Sequence, residues 1–250
     1  MAMEYYTNLV RLYVPEPDFV QGETYALSEG QVHYLRNVMR KVAGDKLRVF
    51  NGRDGDWLAT LTEINKNKAL IQLDQLRVEQ KQSPDIWVLA SPIKKESFDL
   101  MVEKACELGA SKFIPVICEH TVVHRVNQER LQATAIEAAE QSERGDVMEI
   151  APLADLKKCL TSFDNNRNLI FCIERIEAPS LADIMPGLEK KPLAVLIGPE
   201  GGFSEAEIEF IKNQKCVHPV SLGSRILRAE TALITALSGV QLLSGSGKFN

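Results

Sequence analysis

Apolar and polar residues alternate in short runs along the first third of the chain. Val10-Arg11-Leu12-Tyr13-Val14, Lys46-Leu47-Arg48-Val49-Phe50, Trp57-Leu58-Ala59-Thr60-Leu61 and Ala69-Leu70-Ile71-Gln72-Leu73 read as β-strands, several with one buried face. Turn residues separate them: Ala43-Gly44-Asp45, Asn51-Gly52 and Asp54-Gly55-Asp56. Residues 51–56 lie between two such runs and predict a hairpin loop. One stretch, Gln31 to Arg40, has helical spacing instead, with Val32, Leu35, Val38 and Met39 on one face. The expectation is a small, mostly antiparallel β-barrel.

Beyond Lys81-Gln82-Ser83-Pro84 the pattern changes, and a domain boundary is placed there, giving domains 1–82 and 83–250. Apolar strand runs now alternate with helical periods. Strands are expected over 86–91, 113–118, 168–173, 193–197 and 217–221. Ser97 is read as the N-cap of a helix burying Phe98, Met101, Val102, Ala105 and Leu108, with Gly109 at its stop. Asn127 is read as the cap of a second helix running to about Ser142. Ser204-Glu205-Ala206-Glu207 is a capping box, and Ala229, Leu233, Ala236, Val240 and Leu243 share one face of a last helix. Repeated strand–helix units predict an α/β domain with an open parallel sheet, whose ligands bind at the carboxyl ends of the strands.

Composition adds little except through charge. The chain has 250 residues, 45% hydrophobic and 25% charged, as a globular protein does. The net charge is −5, which on its face argues against a nucleic-acid partner. No apolar run approaches a membrane span, and Met1-Ala2-Met3-Glu4-Tyr5-Tyr6 is no secretory signal, so a cytoplasmic protein is expected. Five scattered cysteines read as reduced core thiols. Cys118, His120 and His124 have metal-ligand character but no fourth partner, so no metal is expected.

Two loops carry candidate chemistry, each between a strand and a helix. One is Ile197-Gly198-Pro199-Glu200-Gly201-Gly202-Phe203, whose glycines are read as letting backbone approach a ligand. The other is Leu222-Gly223-Ser224-Arg225-Ile226-Leu227-Arg228-Ala229-Glu230-Thr231. Neither is a dinucleotide fingerprint nor a P-loop. A single loop of this kind is usually a tight turn; two at one sheet edge point to a pocket.

Together these two loops closely resemble the RsmE family, bacterial-type methyltransferases acting on N3 of a uridine in 16S ribosomal RNA. The likeness extends to 103–109 (Glu-Lys-Ala-Cys-Glu-Leu-Gly), 137–144 (Glu-Ala-Ala-Glu-Gln-Ser-Glu-Arg), Arg11-Leu12-Tyr13-Val14 and His33-Tyr34-Leu35-Arg36, and so covers nearly the whole chain. The chain departs from the pattern at His120, Leu131 and Met148, where the family often has Arg, Trp and Pro. The last two read as packing changes.

The resemblance implies a PUA-like β-barrel followed by a SPOUT domain with a trefoil knot, a topology that general fold rules disfavour. It implies S-adenosylmethionine as cofactor, held by Ile173 and Glu174, by Ile197, Gly198, Pro199, Glu200, Gly201 and Gly202, and by Leu222, Gly223, Ile226, Leu227 and Arg228. It implies a homodimer and a 16S rRNA substrate, expected within the 30S subunit. Arg144 becomes the candidate electrophile for a uracil carbonyl, with Glu140 one turn away to orient it. The base that takes the N3 proton stays open between Glu200, Glu140 and water.

Charge can then be reread. Residues 1–82 hold 11 basic and 11 acidic residues, so the acidic excess lies wholly in the second half. Between residues 36 and 53 stand Arg36, Arg40, Lys41, Lys46, Arg48 and Arg53 against Asp45 alone. The expected RNA-contacting residues are Arg11, His33, Arg36, Arg40, Lys41, Lys94 and Lys95. Two readings stay open beside this one: another SPOUT-class RNA methyltransferase with a different target atom, and a non-catalytic rRNA-binding assembly factor.

Overall fold

The computed structural model describes residues 9–15, 18–174, 176–188 and 191–244. The N-terminal residues 1–6 and the tail glycines Gly245 and Gly247 lie outside the described residues. The chain divides into two units. The first holds the described residues up to Gln82 together with Ala139–Val147; the second holds Ser83–Ala138 and the described residues from Met148 onward. A boundary drawn at Gln82 alone puts residues 139–147 in the second half, whereas this segment belongs with the first unit.

In the first unit β1 (Arg11–Tyr13), β2 (Thr24–Ala26), α1 (Glu29–His33), β3 (Lys46–Phe50), β4 (Asp56–Ile64) and β5 (Ala69–Val78) follow in order. The sheet order is β1-β3-β4-β5-β2. The β3–β4, β4–β5 and β5–β2 pairs are antiparallel, but β1 runs parallel to β3. Among the described residues the sheet keeps two edges, β1 and β2. The expected hairpin joins β3 to β4: the Asn51 side-chain oxygen accepts the N–H groups of Arg53 and Asp54 at 3.0 and 2.9 Å. Leu12, Leu47, Val49, Leu61, Ile71 and Leu73 fill the core.

The predicted helical face at 31–40 holds only for its first half. Ser28 caps α1 through a capping box with Gln31, and Val32 and Leu35 are buried. A π-helical turn over Tyr34–Val38 then intervenes, with Met39 N–H donating to the Tyr34 carbonyl at 3.0 Å. The wider turn shifts the register by one residue. Val38 and Met39 are thereby 60% and 39% exposed rather than in the core.

The second unit contains β6 (Ile86–Ala90), α2 (Lys95–Glu107), β7 (Lys112–Ile117), α3 (Gln128–Gln141), β8 (Glu149–Ile150), β9 (Ala154–Asp155), α4 (Leu156–Thr161), β10 (Asn168–Cys172), α5 (Leu181–Leu188), β11 (Leu193–Ile197), α6 (Glu205–Lys212), β12 (Val217–Val220) and α7 (Ala229–Leu243). From Ala139 onward α3 is grouped with the first unit. The sheet order is β12-β10-β11-β6-β7-β8, and every pair along it is parallel. β11 is buried along its whole length, as a strand covered on both faces must be.

Ser97 is not the cap of α2: the helix starts three residues earlier than that cap implies, with Lys94 at the cap position and no side-chain bond there. Asn127 does cap α3, accepting the Arg130 N–H at 2.9 Å, and the Ser204–Glu207 box on α6 is formed. α7 buries Ala229, Leu233, Ala236, Leu237 and Val240 against a surround of α2, α5 and β11, while Leu243 at its end is 46% exposed. Leu131 and Met148 are fully buried, as packing positions would be.

Candidate cofactor pocket and nucleic-acid face

Because β12, β10, β11 and β6 are adjacent and parallel, the loops leaving their carboxyl ends meet at one edge of the second unit. Residues 172–174, 197–203 and 221–229, with Ile176, Glu205, Ile208 and Ala232, line a cavity of about 770 Å³ there. That volume is within the range of small-molecule sites. All the residues expected to hold a cofactor line it: Ile173, Glu174, Ile197, Gly198, Pro199, Glu200, Gly201, Gly202, Leu222, Gly223, Ile226, Leu227 and Arg228. Phe203, which stood in the candidate loop but was not assigned to the cofactor, also lines it, as do Cys172, Ile176, Ile208 and Ser221, which carried no sequence signal of their own. A wider hollow of about 930 Å³ at 126–136 contains none of the candidates.

The glycines of the first loop also answer to packing within the protein. A Cβ on Gly198 would lie 2.6 Å from the Phe203 ring, and one on Gly201 would lie 3.1 Å from His120 Cβ. Phe203 leaves no room for a Cβ at 198, and His120 leaves little at 201. Gly202 turns the chain at φ +70°, with its N–H on the Pro199 carbonyl at 2.9 Å. Phe203 in turn packs edge-on against Phe171, with ring centres 5.1 Å apart.

His120 braces the same loop. Its Nδ1 lies 3.2 Å from the carbonyl oxygens of both Gly201 and Gly202, so Nδ1 carries the hydrogen and donates. The turn bearing His120 is itself fixed. Glu207, buried on α6, accepts the Glu119 N–H at 2.8 Å with one oxygen and the Ser204 N–H at 3.0 Å with the other.

The walls of the cavity combine apolar strand ends with Glu174, Glu200 and Glu205 and with Arg225 and Arg228. Such a lining suits a ligand that is part apolar and carries both charges. Arg228 occupies the N-cap position of α7 without a side-chain cap bond. Burial pushes the Cys172 thiol at the pocket up to about 12, which keeps it protonated. Cys118 is likewise pushed to about 12, chiefly by burial and then by Glu207. Among the described residues no three His, Cys, Asp or Glu side chains converge on a metal position.

The other candidates divide. His33, Arg36 and Arg40 are exposed and Lys41 is half-buried, beside the exposed Val38, Met39 and Val42. Lys94 and Lys95 are exposed at the start of α2, on the loop that leaves β6. Arg11 is a correction. It is 7% exposed, and its guanidinium donates to Asp56 at 2.6 Å and to the carbonyls of Ala139 and Arg144 at 2.9 and 2.8 Å. Having its donors taken up inside the first unit, it offers no phosphate contact. Arg48, counted in the basic run, is also buried, and Lys46 is paired with Asp74. Glu140 accepts the Tyr13 N–H at 2.8 Å. Arg144 pairs with Asp146, with Nε and Nη2 each 2.8 Å from Oδ1, and its side chain is 9% exposed, so contact with a substrate requires it to turn out of that pair.

The class to which this site belongs is given by two family models. An RNA methyltransferase domain matches residues 80–241, and the PUA domain of RNA methyltransferases matches 27–74. A ribosomal RNA small subunit methyltransferase E from Rickettsia conorii is 34% identical over 238 residues, spanning 93% of this chain and 95% of that protein. A namesake from Synechocystis is 34% identical over 235 residues, spanning 92% and 77%. The crystal structure of the Neisseria gonorrhoeae protein of that name, bound to S-adenosyl methionine, superposes with a TM-score of 0.85 at 30% identity, covering 94% of this chain and 98% of that one. The chain belongs to the ribosomal RNA small subunit methyltransferase E family.

Proposed function

We propose that this chain methylates N3 of a uridine in 16S ribosomal RNA, with S-adenosylmethionine as methyl donor. The observation that carries this reading is the cavity at the carboxyl edge of the parallel sheet, lined by 173–174, 197–202 and 222–228. These residues would hold the cofactor, which supplies an electrophilic methyl group when bound. The carboxylates of Glu174, Glu200 and Glu205 favour a cationic ligand over a neutral one. The apolar strand ends exclude water from it.

The protein's remaining task is to present the nucleophile. Uracil N3 carries a proton between two carbonyls, and its loss puts negative charge on those oxygens. The Arg144 guanidinium stabilises that charge, and Glu140 fixes the neighbouring backbone through its bond to Tyr13. The proton passes to Glu200, Glu140 or water. The target base is drawn out of its stack, as base chemistry requires. His33, Arg36, Arg40, Lys41, Lys94 and Lys95 meet phosphates and supply affinity.

The domain reading is a PUA-like unit ending at Gln82, which also takes in 139–147, and a SPOUT unit made of the rest. The trefoil knot is part of this reading and rests on the family membership. So are a homodimer, an assembled 30S substrate and a cytoplasmic location. Among the described residues no helix is long and apolar enough to cross a membrane.

The decisive experiment incubates the purified chain and cofactor with 30S particles and, separately, with naked 16S RNA, then analyses nucleosides by mass spectrometry. 3-Methyluridine from the 30S particles is expected. A methyl on another base or on ribose would replace the target assignment. Failure to bind S-adenosylmethionine at all would support the non-catalytic reading. Arg144→Ala is expected to abolish transfer while calorimetric cofactor affinity persists; lost affinity would remove Arg144 from the role given to it.

A further inference from the structure

The first unit contains a buried ionic cluster that this chemistry does not use directly. Asp56, 5% exposed, receives Arg11 Nε at 2.6 Å and two bonds from Arg48, Nε at 3.1 Å and Nη2 at 3.0 Å. Arg48 then reaches Glu143 with both terminal nitrogens, at 2.7 and 3.2 Å. The Arg11 guanidinium also lies 3.6 Å from the centre of the Phe50 ring. Two arginines and two carboxylates balance in charge, yet taking them out of water is costly, and apolar residues would hold a small sheet at least as well. What apolar residues could not do is donate directed hydrogen bonds to backbone.

Those bonds fall on one segment. Arg11 Nη1 donates to the carbonyl of Ala139, one of the last four of α3, which has no partner within the helix. Positive charge at a helix C-terminus also complements its dipole. Arg11 Nη2 donates to the carbonyl of Arg144 itself. Between these two anchors Glu143 has a left-handed backbone, φ +58°, which costs a non-glycine residue energy. The two-pronged grip of Arg48 on its side chain holds it there.

We propose that Arg11 and Arg48 are positioning residues for Arg144, fixing the segment 139–147 so that its guanidinium is presented in one orientation. The proposal rests on the reading that Arg144 serves the uridine. It moves Arg11 from the RNA-contacting set to a role one step behind the reacting base. Arginine is needed at position 11 because a lysine is a single point donor and cannot reach Asp56 and two carbonyls together.

The test compares the full-length protein with Arg11→Lys and Glu143→Gln, alone and combined with Arg144→Lys, on 30S particles at saturating cofactor. Arg11→Lys is expected to lower kcat about tenfold or more, with KM for the particles and cofactor affinity little changed; its thermal midpoint falls as well, because buried acceptors lose their donors, so rates are compared at a temperature where the variant is fully folded. Glu143→Gln alters a half-exposed carboxylate and keeps the fold; a several-fold loss of kcat is expected. In the Arg144→Lys background neither change is expected to reduce the residual rate further, because both act through the same group. Additive losses would overturn the proposal. So would weaker RNA binding with a shallower salt slope in Arg11→Lys, which would return that residue to phosphate contact. If Arg144→Lys alone leaves kcat unchanged, the reading of Arg144 fails first and the proposal fails with it.

Discussion

The Phe203 ring occupies the space that a side chain at Gly198 would need, its nearest atom 2.6 Å from where a Cβ would stand. Phe203 is tied to the core through Phe171 and cannot retreat without breaking that contact. Gly198→Ala is therefore expected to displace the loop, lowering stability by about 1–3 kcal/mol and weakening cofactor binding. Shrinking the ring with a second change, Phe203→Leu, is expected to recover part of both. Calorimetry with S-adenosylmethionine and thermal unfolding read the two effects, and unchanged affinity in Gly198→Ala would refute this account of the glycine.

Glu207 links the helix cap of α6 to the turn that carries His120. Glu207→Gln keeps the shape but turns an amide donor towards one of two backbone donors. One part-buried N–H loses its acceptor, at a cost of about 1 kcal/mol. Urea unfolding should show a lower midpoint with the same slope. A midpoint equal to that of the parent chain would mean that water replaces the lost bond at no cost.

Reversing charge at Arg36, Arg40 and Lys41 is expected to weaken 16S RNA binding without touching cofactor affinity. The dependence of log affinity on log salt should flatten by about one unit for each residue that meets a phosphate. Filter binding across a salt series measures it, and an unaltered slope would take these residues out of the RNA surface.

His218 on β12 is held below the ordinary imidazole value, chiefly by burial and secondarily by Lys191. The folded state thus prefers the neutral ring. As pH falls below the unfolded value of about 6.5, the unfolded chain takes up the proton first, so stability declines through that window. The decline is complete once pH is below the folded value. Urea midpoints measured from pH 7.5 downward should fall in the parent chain and fall less in His218→Gln. Parallel profiles would assign the acid sensitivity elsewhere.

Much of this molecule is determined locally. β3 and β11 have the bounds that their apolar runs predict, and the caps at Asn127 and Ser204 form where the side chains stand. The pocket loops at 197–203 and 222–228 were legible because glycine and charge interrupt apolar strands just before a helix. Other features depend on partners far along the chain. The basic character of Arg11 is visible in sequence, but whether it meets a phosphate or a carboxylate depends on Asp56, 45 residues away, and on the Arg144 carbonyl, 133 residues away. The same holds for Arg48 and for the segment 139–147, which continues a helix of the second unit yet is grouped with the first. The need for glycine at 198 was visible as well, but its cause is an aromatic ring that only packing brings there. The sequence by itself determined which elements form and where their loops fall, because periodicity, caps and turns act over a few residues. Only the tertiary structure decided which charges are buried and which are left at the surface, because desolvation and pairing depend on residues that folding alone brings together.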